Sequence, residues 1–160
     1  GWRGVNVDAN PDSIELFQAI RTEDVSIHAL VGPRVEELEY FRFGEGAYNT
    51  TNTESVKVLL SRSNAESKMI SSTKMRTVTP NEIFAKYVER RKFDFLNIDV
   101  EGLDEELLYS IDFEQYRPKV ICVEVDIAQW AAGSLKSFLD AKGYKPVSQT
   151  IHSAFFRRER

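Results

Sequence analysis

Cysteine is almost missing from these 160 residues, with Cys122 the single example. It cannot form an internal disulfide, and its place in an apolar run predicts a small buried hydrophobe in a reducing compartment, the cytoplasm. Histidine is nearly as scarce. His28 and His152 lie too far apart, and have too few cysteine partners, to make a zinc site, so no metal ligands are assigned. Long apolar runs are also lacking. Stretches such as Val120-Ile121-Cys122-Val123 fall far short of the ~20 residues that span a bilayer, and no basic, apolar, small-residue signal opens the chain. Membrane insertion and secretion therefore lose their usual evidence, and the Asn49-Thr50-Thr51 sequon has no secretory context.

An excess of positive charge is missing too. With 21 basic residues against 25 acidic ones the net charge is −4, which gives no reason to expect a nucleic-acid partner. The one basic cluster, Arg157, Arg158 and Arg160, reads as a solvated tail. Glycine is sparse, at eight positions, and none of them follows a strand and opens a helix as a phosphate cradle requires. Gly44 and Gly46 come nearest, but Asn49 stands where the third glycine belongs, so that segment reads as a hairpin loop.

What is present describes one soluble globular domain over residues 1–160. Apolar residues make up 42% and charged residues 29%, with a mean hydropathy of −0.37, which rules out disorder. Strand-like and helix-like periods alternate, the pattern of an α/β fold. Val5 to Val7 is a strand stopped by Asp8-Ala9-Asn10-Pro11, and Ile14, Phe17 and Ile20 then recur at helical spacing. Val25 to Val31 and Leu38 to Phe43 read as strands, Gly44 to Glu54 as a loop, and Val56 to Val78 supports no firm assignment. Thr79-Pro80-Asn81-Glu82 is a capping box with proline at the first helical position. Phe93 to Val100 and Lys119 to Val125 are near-continuous apolar strands of the kind buried on both faces of a parallel sheet. Between them Glu105 to Ile111 is helical. A last helix, about Ala131 to Lys142, stops at Gly143, and Lys145 to Gln149 with Ser153 to Arg157 forms a terminal antiparallel hairpin. Trp130 either lines a pocket or staples that helix.

In a parallel sheet ligands bind beyond the carboxyl ends of the strands, which directs attention to Asp8, Asp99 and Glu124. Asp8 either accepts hydrogen bonds from the paired ribose hydroxyls of a nucleotide cofactor or closes an Asx turn before the helix. If the strands before Asp99 and Glu124 are neighbours, two carboxylates share a cleft. One then takes a raised pKa and serves as a general base, or a cation sits between them. The plainer alternative has Asp99 capping the next turn and Glu124 facing water. Gly102 permits a turn with positive φ, His28 takes a structural role mid-strand, and His152 is near enough the C-terminal edge to reach the cleft.

Three ordered stretches resemble the FkbM family of S-adenosylmethionine-dependent methyltransferases. Gly1-Trp2-Arg3-Gly4-Val5-Asn6-Val7-Asp8-Ala9-Asn10-Pro11 is similar to the family's second strand and cofactor-ribose acid, with Asp8 where glutamate is more usual. Phe93-Asp94-Phe95-Leu96-Asn97-Ile98-Asp99-Val100-Glu101-Gly102 looks like its fourth strand, with Asn97 where lysine is usual. Arg117-Pro118-Lys119-Val120-Ile121-Cys122-Val123-Glu124 looks like its fifth. The resemblance implies a Rossmann-like methyltransferase sheet, mostly parallel with a C-terminal antiparallel hairpin, and O-methylation of a sugar, glycan or glycosylated metabolite. It implies S-adenosylmethionine as cofactor, with Asp8, Ala9 and Asn10 at the ribose and Gly32 by the adenine. Asp99 and Glu124 would be the catalytic residues facing the acceptor.

The family's first strand and glycine loop have no counterpart here. That strand lies mid-sheet, so its loss predicts two open interior edges and a tendency to aggregate. An upstream segment of the parent protein, a second copy of the chain, or a rearranged pairing is expected to close the gap. The alternative reading is a non-catalytic truncated fragment or interaction module without a cofactor site.

Overall fold

In the computed structural model, which describes residues 1–62, 64, 66–88, 93–125, 130–131 and 133–159, the chain divides into two units, Gly1–Thr79 and Pro80–Arg160. The first begins with strand β1 (Val5–Asp8), helix α1 (Pro11–Ile20) and strand β2 (Val25–His28). Asn10 caps α1 by accepting the Asp12 amide, and Pro11 opens the helix where its missing N–H costs nothing. β1 and β2 pair in parallel from Val5 opposite Val25 to Asp8 opposite His28. The Asp24 carboxylate fixes this register from one end, accepting from the Gly4 amide at 3.0 Å and the Asn6 amide group at 3.2 Å. His28 fixes the other, its Nε2 standing 3.0 Å from the Ala9 carbonyl. It ends the strand and is exposed, with the structural role expected of it.

The rest of this unit is a two-stranded antiparallel sheet of β3 (Glu37–Phe43) and β4 (Met69–Arg76), with helix α2 (Thr53–Leu60) between them in the chain. Phe41 and Phe43 join Val56, Leu59 and Tyr48 in one hydrophobic cluster, so alternate side chains of β3 carry the local core. The expected loop at Gly44 to Glu54 is a 3-10 turn over Gly46–Tyr48 followed by the start of α2, which Asn52 caps by accepting the Glu54 and Ser55 amides. Asn49 is buried and its Oδ1 accepts the Phe43 amide at 2.8 Å, so this asparagine serves as internal scaffolding.

The second unit opens with α3 (Pro80–Tyr87), starting where the capping box places it. Strand β5 (Phe95–Ile98), helix α4 (Asp104–Tyr109), strand β6 (Val120–Glu124), helix α5 (Ser134–Ala141), and strands β7 (Tyr144–Gln149) and β8 (Ser153–Arg158) follow. The sheet order is β5-β6-β8-β7, with β5 parallel to β6 and β8 antiparallel to both its neighbours. β6 is buried through its middle, whereas β5 leaves Phe95 and Asn97 exposed, so only one of the two strands is covered as its sequence suggests. Pro146 is tolerated because β7 is the edge strand, and the pairing shifts there between Pro146 and Ser148. Gly143, at φ 82°, ends α5 as expected and donates its N–H to the Asp140 carbonyl. Trp130 lies edge-on to Phe156, with the Lys136 ammonium 3.7 Å from its ring centre, the stapling role rather than a pocket wall.

Two expectations need correction. The fold is mixed α/β, but the mostly parallel single sheet is not what the strands form. Among the described residues two strand pairings are parallel and three antiparallel, spread over three small sheets. The extra antiparallel pairing comes from β3 with β4, a segment whose polar sequence hides its strand character. Among the described residues β1 is paired only with β2 and β5 only with β6. Arg157 and Arg158 are not a solvated tail but the last residues of β8, and the Arg158 side chain donates to the Arg117 carbonyl at 2.8 Å; Arg160 lies outside the described residues.

Candidate functional site

In the second unit the parallel register of β5 and β6 runs from Phe95 opposite Val120 to Ile98 opposite Val123. The next residues along each strand are Asp99 and Glu124, so the pairing itself brings both acids to the carboxyl edge. A third acid joins them. Carboxylate oxygens of Asp99, Asp104 and Glu124 all lie within 4.8 Å of one another, close enough to share a proton or one hard divalent cation. Asp104 is only 7% exposed and organises the loop after β5, taking the Val100 amide on one oxygen at 2.9 Å and the Gly102 amide on the other at 3.1 Å. That loop turns through two left-handed residues, Glu101 at φ 55° and Gly102 at φ 104°. Glycine adopts this conformation freely, whereas a glutamate held there is strained.

The charges act on one another. Burial, and then the neighbouring carboxylates of Glu124, Asp99 and Asp104, push the Glu101 carboxyl up to about 7. Glu124 is raised for the same reasons, burial first and then Asp99 and Asp104, with His152 opposing the shift. Electrostatically, therefore, His152 belongs to this cluster. Glu101 and Glu124 therefore hold a proton more readily than isolated carboxylates do, and a carboxylate of raised pKa is suited to general-base work. Burial, together with Asp99, also raises the Cys122 thiol and keeps it un-ionised.

In the first unit the turn from β1 to α1 carries the other predicted residues. Asp8 is half-buried and its Oδ1 accepts the Asn10 amide at 2.7 Å, forming the Asx turn considered for it. Among the described residues its Oδ2 has no hydrogen-bond partner. The turn thus needs only one of the two carboxylate oxygens and leaves the second for a ligand. Arg42 of β3 reaches the first turn of α1, its Nη2 donating to Asp12 Oδ2 at 2.6 Å. Tyr40, two residues earlier on the same strand face, is buried, and its hydroxyl is pushed up to about 12 by that burial and then by the Asp8 charge.

A family model described as the methyltransferase FkbM domain matches residues 1–146. The chain belongs to the FkbM methyltransferase family. No curated protein and no solved structure matches it. Among the described residues, no helix of this FkbM domain is long and apolar enough to cross a membrane.

Asp99 and Glu124 of the FkbM domain come together, as the neighbouring-strand argument requires, whereas Asp8, Ala9 and Asn10 form a turn in the other unit. Gly32 has an architectural reason to be glycine. A side-chain carbon there would stand 2.9 Å from the Thr77 methyl, and its own N–H donates to the Val78 carbonyl. Sequence reasoning missed Asp104, Glu101, Tyr40 and Arg42. Asp104 had a signal, an acid at the start of a helix directly after a glycine turn. Glu101 had none beyond its acidic neighbours, and the β3 pair depends on long-range packing.

Proposed function

We propose that this FkbM methyltransferase transfers a methyl group from S-adenosylmethionine to a hydroxyl of a sugar, glycan or glycosylated metabolite. The observation that carries the reading is the convergence of Asp99, Glu124 and Asp104 at the carboxyl ends of two parallel strands, in a chain matched to the family over residues 1–146. Bound, the cofactor supplies a sulfonium methyl carbon open to attack by a nucleophile. An alcohol is a poor nucleophile at neutral pH, so the protein's task is to hold the acceptor hydroxyl and accept its proton. Glu124, with its raised pKa, takes that proton, and Asp99 both orients the hydroxyl and keeps Glu124 basic. Asp104 holds the loop that places them.

The turn at Asp8 suits the cofactor's ribose. Its free Oδ2 is an acceptor for hydroxyl donors, and Ala9 and Asn10 fix the turn through the His28 contact and the Asp8 hydrogen bond. Gly32, which packs against Thr77, is the residue expected beside the adenine.

The test is methyl transfer from isotope-labelled S-adenosylmethionine to a panel of hydroxylated sugars and glycosides. Asp99→Asn should fold and lose ~10²-fold or more in turnover; unchanged turnover removes Asp99 from the mechanism. Calorimetric titration with S-adenosylmethionine that gives no saturable heat for this chain or for a form extended upstream favours the non-catalytic interaction module; binding by the extended form alone leaves the family reading standing.

A further inference from the structure

Strand β8 and the turn before it lie beyond residue 146, outside the stretch matched to the family, yet they end beside the acid cluster. Glu124 is the partner of Ser153 across the β6–β8 ladder, and the Val125 amide donates to the His152 carbonyl at 2.9 Å. His152, next in the chain to the partner of Glu124, therefore stands at the same carboxyl edge. The turn that carries it is closed from within. Thr150 donates its N–H to the Ser153 carbonyl at 2.8 Å, and its hydroxyl accepts the Ser153 amide at 3.0 Å. Backbone groups and Thr150 thus fix residue 152, and the imidazole takes no part in holding the turn. Among the described residues the ring of His152 has no hydrogen-bond partner, and the residue is exposed. Its charge is felt at the cluster all the same: Glu124, raised by burial and then by Asp99 and Asp104, is drawn back by His152.

An imidazole carries an N–H donor in either protonation state, and a hydroxyl oxygen accepts it. Three carboxylates at the same edge disfavour an anionic group there, and the N–H disfavours a cationic one, which leaves a neutral hydroxyl as its partner. We propose that His152 is a specificity-determining residue for the methyl acceptor, donating to a second hydroxyl beside the one being methylated, so that the acceptor is a vicinal diol of a sugar ring. This rests on the reading that Glu124 takes the proton of the methylated hydroxyl. Glu124 and Asp99 then hold one oxygen of the diol and His152 the other, which selects the ring position that is methylated. The proton-accepting acids belong to the matched domain, and the second contact comes from the segment after it.

The test is methyl transfer from S-adenosylmethionine to the methyl glycosides of glucose, galactose, mannose and rhamnose and to their monodeoxy derivatives, with kcat and KM measured for wild type, His152→Ala and His152→Gln. His152→Ala should raise the KM of the accepted glycoside on the order of tenfold, the loss of one hydrogen bond, with kcat nearly unchanged. That penalty should vanish for the monodeoxy derivative lacking the neighbouring hydroxyl, and His152→Gln, which keeps an N–H donor, should recover most of it. Equal KM for wild type and His152→Ala on every acceptor overturns the proposal. So does an equal penalty on the glycoside and on each of its methylated derivatives, which marks an effect through Glu124 or the fold, and so does a matching loss of S-adenosylmethionine binding in calorimetric titration. If thermal unfolding shows that the alanine variant does not fold, His152→Leu, which fills similar space without a donor, is judged by the same outcomes. Absence of transfer to every glycoside, by this chain and by a form extended upstream, overturns the sugar-hydroxyl reading and this inference with it; transfer that His152→Ala leaves unchanged overturns this inference alone.

Discussion

Glu101 holds a φ of 55°, between Val100 and Gly102, a glycine that takes the same left-handed turn at φ 104°. A side chain in the left-handed region costs about 1–2 kcal/mol relative to the right-handed one. Glu101→Gly should therefore stabilise the fold by about 1 kcal/mol after allowing for glycine's greater unfolded-state entropy. Glu101→Gln removes the charge without relieving the backbone and serves as the control. A urea midpoint for the glycine variant no higher than that of the glutamine variant would refute the strain argument. Gly32 presents the opposite case, a glycine required by contact and not by conformation. Thr77, at 1% exposure, accepts the Glu36 amide on its hydroxyl, and its methyl occupies the space a Gly32 side chain would need. Gly32→Ala should destabilise by about 1–3 kcal/mol, as overpacking of a buried site does. Adding Thr77→Ser keeps the hydroxyl, removes the methyl and should recover part of the loss; two independent, additive penalties in thermal unfolding would contradict the clash.

Elements differ in how openly the chain declares them. α3 was legible because its start is local chemistry: a threonine at the N-cap, a proline whose missing N–H costs nothing at the first helical position and a glutamate in the first turn favour a helix start whatever the rest of the fold does. The β5 and β6 strands were legible from their apolar runs, and their adjacency places Asp99 beside Glu124 without further information. β4 was not, because Met69–Arg76 is polar, mostly exposed and stabilised by its backbone pairing with β3, a contact no periodicity reports. α2 was hidden by its short apolar run, which fits a strand as well as a helix until Leu59 and Val56 meet Phe41 and Phe43. In the C-terminal hairpin one hydrogen bond carries a similar long-range message. The Tyr144 hydroxyl, fully buried and pushed up to about 12 by that burial, donates to the Pro118 carbonyl at 2.7 Å. Tyr144→Phe keeps the ring against Phe113 but leaves that carbonyl unpaired, at a cost of about 1–3 kcal/mol. The loss should appear in the denaturant midpoint with the slope unchanged, because the surface exposed on unfolding is nearly the same. A midpoint equal to wild type would show that water replaces the tyrosine.

Across the whole molecule the acidic excess becomes a dependence of stability on pH, and its sign follows from the direction of each shift. Glu101 titrates at about 7 in the folded protein against an ordinary 4.5, and Glu124 is shifted the same way. Between those values the folded state binds more protons than the unfolded one, so stability falls as pH rises. This contribution is fully present below about pH 4.5 and lost as pH rises through 7. Asp24 works in the other direction. Its hydrogen bond from Arg21, aided by those from Gly4 and Asn6, holds the carboxyl below 3.8, so its contribution is present above that value and lost as pH falls through the lower folded one. As far as these three groups set it, stability is higher on the acidic side of neutrality than above it. Urea unfolding of the chain at pH 5.5 and pH 8 reads the alkaline slope, with the lower pH expected to give the higher midpoint. In Asp99→Asn one of the charges that raises both Glu101 and Glu124 is gone, so the difference between the two midpoints should shrink. If it keeps its full size, the carboxyl edge of β5 and β6 does not act as one electrostatic unit, and Asp99 cannot be what keeps Glu124 basic.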